Sequence, residues 1–161
     1  MTGSEEPVRR LHHAAGRLRA AADRIDPDRR TGADPATGEQ WEAGQVLAHC
    51  AEMIPYWTGE IEELVARGGD APFGRVKSDP ERIARIEAGR FDDREKLLAR
   101  IDARVDVVAH LLGRLTGTDL AMVGQHATLG SMTVAEIVTA WSTISSSTPT
   151  SWSPCAADRA S

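Results

Sequence analysis

The stretch EAGQVLAHCAEMIPYWTGEIEELVAR, residues 42–67, decides how the rest of the chain is read. Val46, Cys50, Met53, Trp57, Ile61 and Leu64 recur at steps of three and four, with Val65 beside the last of them. That spacing makes one apolar stripe on a helix. Gly68-Gly69 ends the helix. Pro55 lies inside it; its ring removes a backbone donor and is expected to bend the axis. His49 falls between Val46 and Met53 at helical spacing and is therefore predicted to point into the protein. A lone histidine on such a face is ordinarily satisfied by a neighbour. A functional role requires further ligands from facing helices, as in bundle-borne metal sites, where imidazole is a favoured ligand.

Similar stripes lie on either side. Val8, Leu11, Ala15, Leu18, Ala22 and Ile25 mark a helix over Pro7 to Ile25, which Asp26-Pro27 closes. Ser78-Asp79-Pro80-Glu81 supplies a cap, a first-turn proline and an acidic first turn for a short helix, with Ile83 and Ile86 expected inward. Leu98, Ile101, Val105, Val108, Leu112 and Leu115 mark a long helix over Asp93 to Leu115. A loop is expected from Thr116 to Met132. Thr133-x-x-Glu136 is then a capping box that opens a fourth long helix, with Val134, Ile137, Val138 and Trp141 on its apolar side. No strand-like alternation of any length is present. These patterns predict an all-α protein, an antiparallel four-helix bundle with one longer crossover.

The fourth pattern breaks in its second turn. Nine of the twelve residues from Ser142 to Ser153 are Ser or Thr, and Pro149 and Pro154 interrupt the stretch. The chain thus divides into a bundle domain, residues 1–141, and a Ser/Thr-rich tail, residues 142–161, with the fourth helix truncated or disordered after about Trp141.

Composition narrows the function classes. The 161 residues are enough for one domain with a real core, and their 41% hydrophobic and 27% charged content is ordinary for a globular protein. The net charge of −5 and the absence of a basic stripe argue against a nucleic-acid partner. No apolar run approaches the ~20 residues that span a bilayer, so no membrane role is expected. Met1 to Arg10 is polar and lacks an apolar signal segment, which predicts a cytoplasmic protein. Cys50 and Cys155 lie far apart in sequence, and Cys50 is expected as a buried free thiol.

The other histidines supply no convincing partner for His49. His12 and His13 are adjacent, about 100° apart on a helix, and are expected at the solvent edge. His110 borders the apolar stripe of its helix, and His126 lies in the loop before the fourth helix. Glu52, three residues from His49, is a weak substitute ligand at best and is expected at the surface or its boundary.

Three segments resemble the DinB-like superfamily, which includes the YfiT-like proteins and the mycothiol-dependent maleylpyruvate isomerases. They are Trp41-Glu42-x-x-Gln45-Val46-Leu47-Ala48-His49-Cys50-Ala51-Glu52, then Phe73-Gly74-Arg75-Val76 through Asp79-Pro80-x-Arg82-Ile83, then His126-Ala127-x-x-Gly130-x-Met132-Thr133. Their order and spacing carry the resemblance over roughly residues 5 to 141. It implies a four-helix bundle holding zinc or nickel through one histidine of the second helix and an H-x-x-x-H or E-x-x-x-H pair of the last. His49 matches the first ligand; the other two should follow Thr133, where this chain has Ser and Thr. The resemblance also implies a low-molecular-weight thiol partner, mycothiol-like, whose sulfur a metal would deprotonate. Tyr56, Trp57 and Arg75 are candidate substrate-binding residues, with Arg75 meeting a carboxylate. The simpler alternative makes Trp57 a core residue and Arg75 a solvated charge.

The tail reads differently one nucleotide earlier. With G/C-ending codons, a backward shift at Trp141 gives V-V-D-H-L-E-Q-H-A-D-Q-L-V-A-L-R-R. Histidines fall in the slots of Ile144 and Thr148, one helical turn apart. Leucines in the slots of Ser145, Trp152 and Cys155 prolong the apolar stripe of Val134 and Val138. The reading adopted is that residues from about Trp141 are an out-of-frame translation of a metal-binding helix; the rival is a genuine solvated tail. As encoded, one imidazole holds a divalent metal weakly or not at all, since protein sites use three or four ligands. Two function classes follow: a metal-dependent thiol S-transferase or isomerase disabled by the loss, or a non-catalytic bundle that binds a small molecule or forms a homodimer through exposed apolar surface.

Overall fold

In the computed structural model, which describes residues 5–34 and 38–142, the stretch around His49 becomes the central helix. Helix α2, Ala43–Ala66, runs unbroken through Pro55. It buries Val46, Cys50, Met53, Trp57, Ile61 and Leu64 as the spacing predicts, and Leu47, Ala51 and Ile54 besides. It needs two faces because it packs against both α3, Pro80–Gly89, and α4, Arg94–Arg114. Helix α1, Glu5–Ala22, covers α4 and meets α6, Val134–Ser142. The buried stripe of α4 is Leu98, Ile101, Val105, Val108 and Leu112, joined by Leu97 and Leu111. Cys50 is buried and free. No helix of the described residues is long and apolar enough to cross a membrane.

Local chemistry sets the helix ends. Asp79 caps α3 by accepting the Arg82 backbone N–H at 2.9 Å, with Pro80 in the first turn. Asp93 caps α4 by accepting from the Lys96 N–H at 3.1 Å. Thr133 and Glu136 form the reciprocal box that opens α6. A second such box, Thr116 with Asp119, opens the short helix α5, Gly117–Ala121, inside the segment expected as loop.

The fold is mostly helical but not all-α. Strands β1, Ala71–Phe73, β2, Val123–His126, and β3, Gly130–Thr133, form a small sheet in the order β1-β2-β3. β1 pairs parallel to β2, with Phe73 opposite His126; β2 pairs antiparallel to β3. The sheet ties the connector after α2 to the segment before α6. Its strands left no alternating pattern because the buried positions of β2 are Gly124 and His126 rather than branched or aromatic residues. Pro72 is tolerated because β1 lies at the sheet edge.

A second correction concerns α3. Ile86 is buried as expected, but Ile83 is 42% exposed and Arg82 takes the inward position. Arg82 lays its guanidinium 5.4 Å from the centre of the Trp41 ring and donates to the Lys77 carbonyl at 2.9 Å. The buried face of α3 is therefore Arg82, Ile86 and Gly89. The tail beyond Ser142, with Cys155 and the slots of the shifted frame, lies outside the described residues.

Candidate functional site

A polar stripe runs along α2 beside its apolar one: His49, Glu52, Tyr56 and Glu60, again at steps of three and four. His49 is fully buried, with the Trp41 ring edge-on at 5.0 Å between centroids. Its Nδ1 lies 3.7 Å from Glu52 Oε1. The same carboxylate oxygen accepts from the Arg75 guanidinium, which arrives from the connector after β1. Arg75 in turn covers the face of Tyr56, with Cζ 3.9 Å from the ring centre. The result is a buried chain of imidazole, carboxylate, guanidinium and phenol.

The electrostatics follow from burial and partners. Burial raises the Glu52 proton affinity, but contact with His49 and Arg75 outweighs it and holds the carboxyl below the usual glutamate range. Burial, reinforced by the nearby Glu60 carboxylate, pushes the Tyr56 phenol above its ordinary value despite the opposing pull of Arg75. Glu60 also accepts the Gly74 backbone N–H and so fixes the turn that presents Arg75. Gly74 has φ +78°, and a Cβ there would lie 2.2 Å from His126 Cδ2, so only glycine fits this turn.

Three corrections concern site residues. Glu52, expected near the surface, is buried. Arg75 is no solvated charge: its side chain is 11% exposed and ion-paired. His126 sits on β2 rather than in a loop, and is buried. Its ring stacks on Trp57 at 6.3 Å between centroids, while its Nδ1 accepts the backbone N–H groups of Thr128 and Leu129 at 3.2 Å. Accepting at Nδ1 places the proton on Nε2 in the neutral ring and gives His126 a structural task in the β2–β3 turn.

Of the candidate substrate residues, Tyr56 and Arg75 come together beside His49. Trp57 points elsewhere, onto Phe73 and His126, as the adjacent residue on a helix must. His12, His13 and His110 are exposed. The partners of His49 were missed because attention fell on the apolar stripe; the i, i+3, i+7 spacing of His49, Glu52 and Tyr56 was the available signal.

The described residues do not fit a tightly held metal ion. No group of three His, Cys, Asp or Glu among them converges. The carboxylate nearest His49 already holds a guanidinium, whose charge would repel a cation.

The structure thus defines a mostly helical protein with a small sheet and a buried polar chain along its central helix. A model of the DinB superfamily matches residues 10–143, and the protein belongs to that superfamily. No curated protein matches the chain.

Proposed function

We propose that this chain is a cytoplasmic protein of the metal-dependent thiol S-transferase or isomerase type whose metal centre has been lost, so that the encoded protein binds zinc or nickel weakly and turns over poorly. In this reading α1, α2, α4 and α6 are the four members of a bundle, and the fourth lost its ligands to a slipped reading frame. One observation carries it. His49 is buried on α2 at the position the superfamily resemblance assigns to a metal ligand, and the only carboxylate beside it is Glu52, already paired with Arg75. Tyr56 and Arg75 then remain as the wall that would face a mycothiol-like thiol or its anionic co-substrate.

Metal analysis of the purified protein, together with the nucleotide sequence of its gene, tests this. The expected result is far less than one equivalent of zinc or nickel, with C as third base of the codons for Thr143 and Ser147. Stoichiometric metal, or A/T-ending codons at both positions, overturns it.

The second reading, a non-catalytic small-molecule binder, is favoured by the other oxygen of Glu52. Oε2 is buried and has no hydrogen-bond partner among the described residues. A homodimer is the third possibility, and light scattering decides it.

A further inference from the structure

The unpaired Glu52 Oε2 belongs to a side chain that lines a second space, an open cleft of about 270 Å³ between α2, α3 and α4. The inner walls are small: Ala48 and Ala51 on α2, Gly89 on α3. Arg85 and Arg100, both more than half or about half exposed, also line it. A buried carboxylate oxygen without a donor is costly, since it has lost water and gained nothing. Oε1 is already engaged by Arg75 and His49, so any ligand in the cleft meets Oε2.

Charge selects among ligands. A simple cation suits Oε2 but meets two guanidinium groups, Arg85 and Arg100. A simple anion suits the guanidinium groups but meets Glu52 and Asp92, which also lines the cleft. The pair Arg100–Asp92 is loose, at 3.4 Å, and Arg85 lies 3.8 Å from Glu81, so neither guanidinium is saturated by a tight bidentate partner. A molecule with a donor cation at one end and an anion at the other satisfies both. We propose that this cleft binds a small amino acid-like zwitterion, its ammonium group donating to Glu52 Oε2 and its carboxylate meeting Arg85 and Arg100. The volume lies below the range of drug-sized pockets, which restricts the ligand to a short chain. The inference stands apart from the metal question and uses a different oxygen of Glu52 from the one facing His49.

The test is an amide NMR titration of the full chain with glycine, β-alanine and γ-aminobutyrate, a series that varies the distance between the two charges. Each is paired with the amine and the carboxylic acid of matching length. At least one zwitterion should give saturable shifts at residues of the cleft, and its single-ended analogues should bind about tenfold or more weakly, since each end makes a charge-assisted hydrogen bond. Two exposed positions give variants that should fold normally. Arg85→Gln should weaken the zwitterion about tenfold and leave the amine unchanged. Ala88→Phe, at a cleft-lining residue on the exposed side of α3, should abolish binding by filling the space. Chelator should change none of this, which separates the result from the metal reading. The proposal is overturned if no member of the series binds, if single-ended analogues bind equally well, or if Ala88→Phe leaves binding intact.

Discussion

Two residues on the polar stripe of α2 give opposite pH arms to the stability of the fold. Tyr56 is the only tyrosine in the chain, so tyrosinate absorbance reports it alone. Its proton is held more tightly in the folded protein than in an unfolded one, because burial and Glu60 both disfavour the phenolate. Such a group contributes stability fully below the ordinary phenol value and loses that contribution as pH rises through the folded value. Tyrosinate should therefore appear later than in free tyrosine and together with alkaline unfolding. Tyr56→Phe should move the alkaline unfolding midpoint upward, and an unchanged midpoint would contradict the burial of the phenol. Glu52 has the reverse sign: its folded proton affinity is lowered, so its contribution is full above the glutamate range and is lost on acidification. Glu52→Ala also leaves Arg75 buried without its counter-charge and should cost about 3 kcal/mol or more in urea unfolding at neutral pH. The double variant Glu52→Leu, Arg75→Met should recover most of that loss, because an apolar pair leaves no uncompensated charge. His49 was legible in the sequence as an inward imidazole; Glu52 and Arg75 were not. A carboxylate and a guanidinium read singly as solvated charges. Only the fold reveals that Gly74 and Glu60 turn the connector so that Arg75 reaches back to α2.

At the scale of elements, helices declared themselves and strands did not, for a physical reason. The caps Asp79, Asp93 and Thr133 and the three-and-four spacing of α1, α2 and α4 are local signals carried by contiguous residues. The strands are three or four residues long and are specified by pairing partners some fifty positions away, such as Phe73 with His126. The helix α3 shows a third case. Its inward residue was expected to be Ile83, but the long stem of Arg82 lies on Trp41 while its charged end finds a carbonyl. The junction of α2 with the end of α3 offers a test in which propensity and packing disagree. Gly44 is in the first turn of α2, where alanine is intrinsically the better helix former by up to about 1 kcal/mol. A Cβ there, however, would lie 2.2 Å from the Arg90 carbonyl oxygen, which is backbone and cannot rotate away. Gly44→Ala should therefore destabilise by about 1–3 kcal/mol, seen as a lower thermal midpoint. A rise in that midpoint would mean that α2 and α3 do not approach as closely as described.

Across the whole molecule, the fourth bundle position is the short one. Helix α6 is described over nine residues, a rise of about 14 Å at ~1.5 Å per residue, against about 32 Å for the 21 residues of α4. The apolar faces of α1 and α4 extend well past that length, with Leu11, Leu18, Val105 and Leu112 all buried. Restoring the shifted frame by one nucleotide at Trp141 extends the apolar stripe by leucines in the slots of Ser145, Trp152 and Cys155. It also places two imidazoles one turn apart, opposite the helix that carries His49. Three imidazoles from two facing helices form a site of the kind that leaves a coordination position open. The restored protein should bind one equivalent of zinc or nickel and unfold at a higher temperature than the encoded one, and chelator should remove part of that gain. The control is His49→Ala in the restored chain: it should abolish stoichiometric metal while keeping the gain that comes from apolar burial alone. If the restored chain takes up no metal, the slipped frame does not explain the missing ligands. If His49→Ala leaves uptake intact, the cation is held elsewhere and the buried imidazole of α2 serves the core alone.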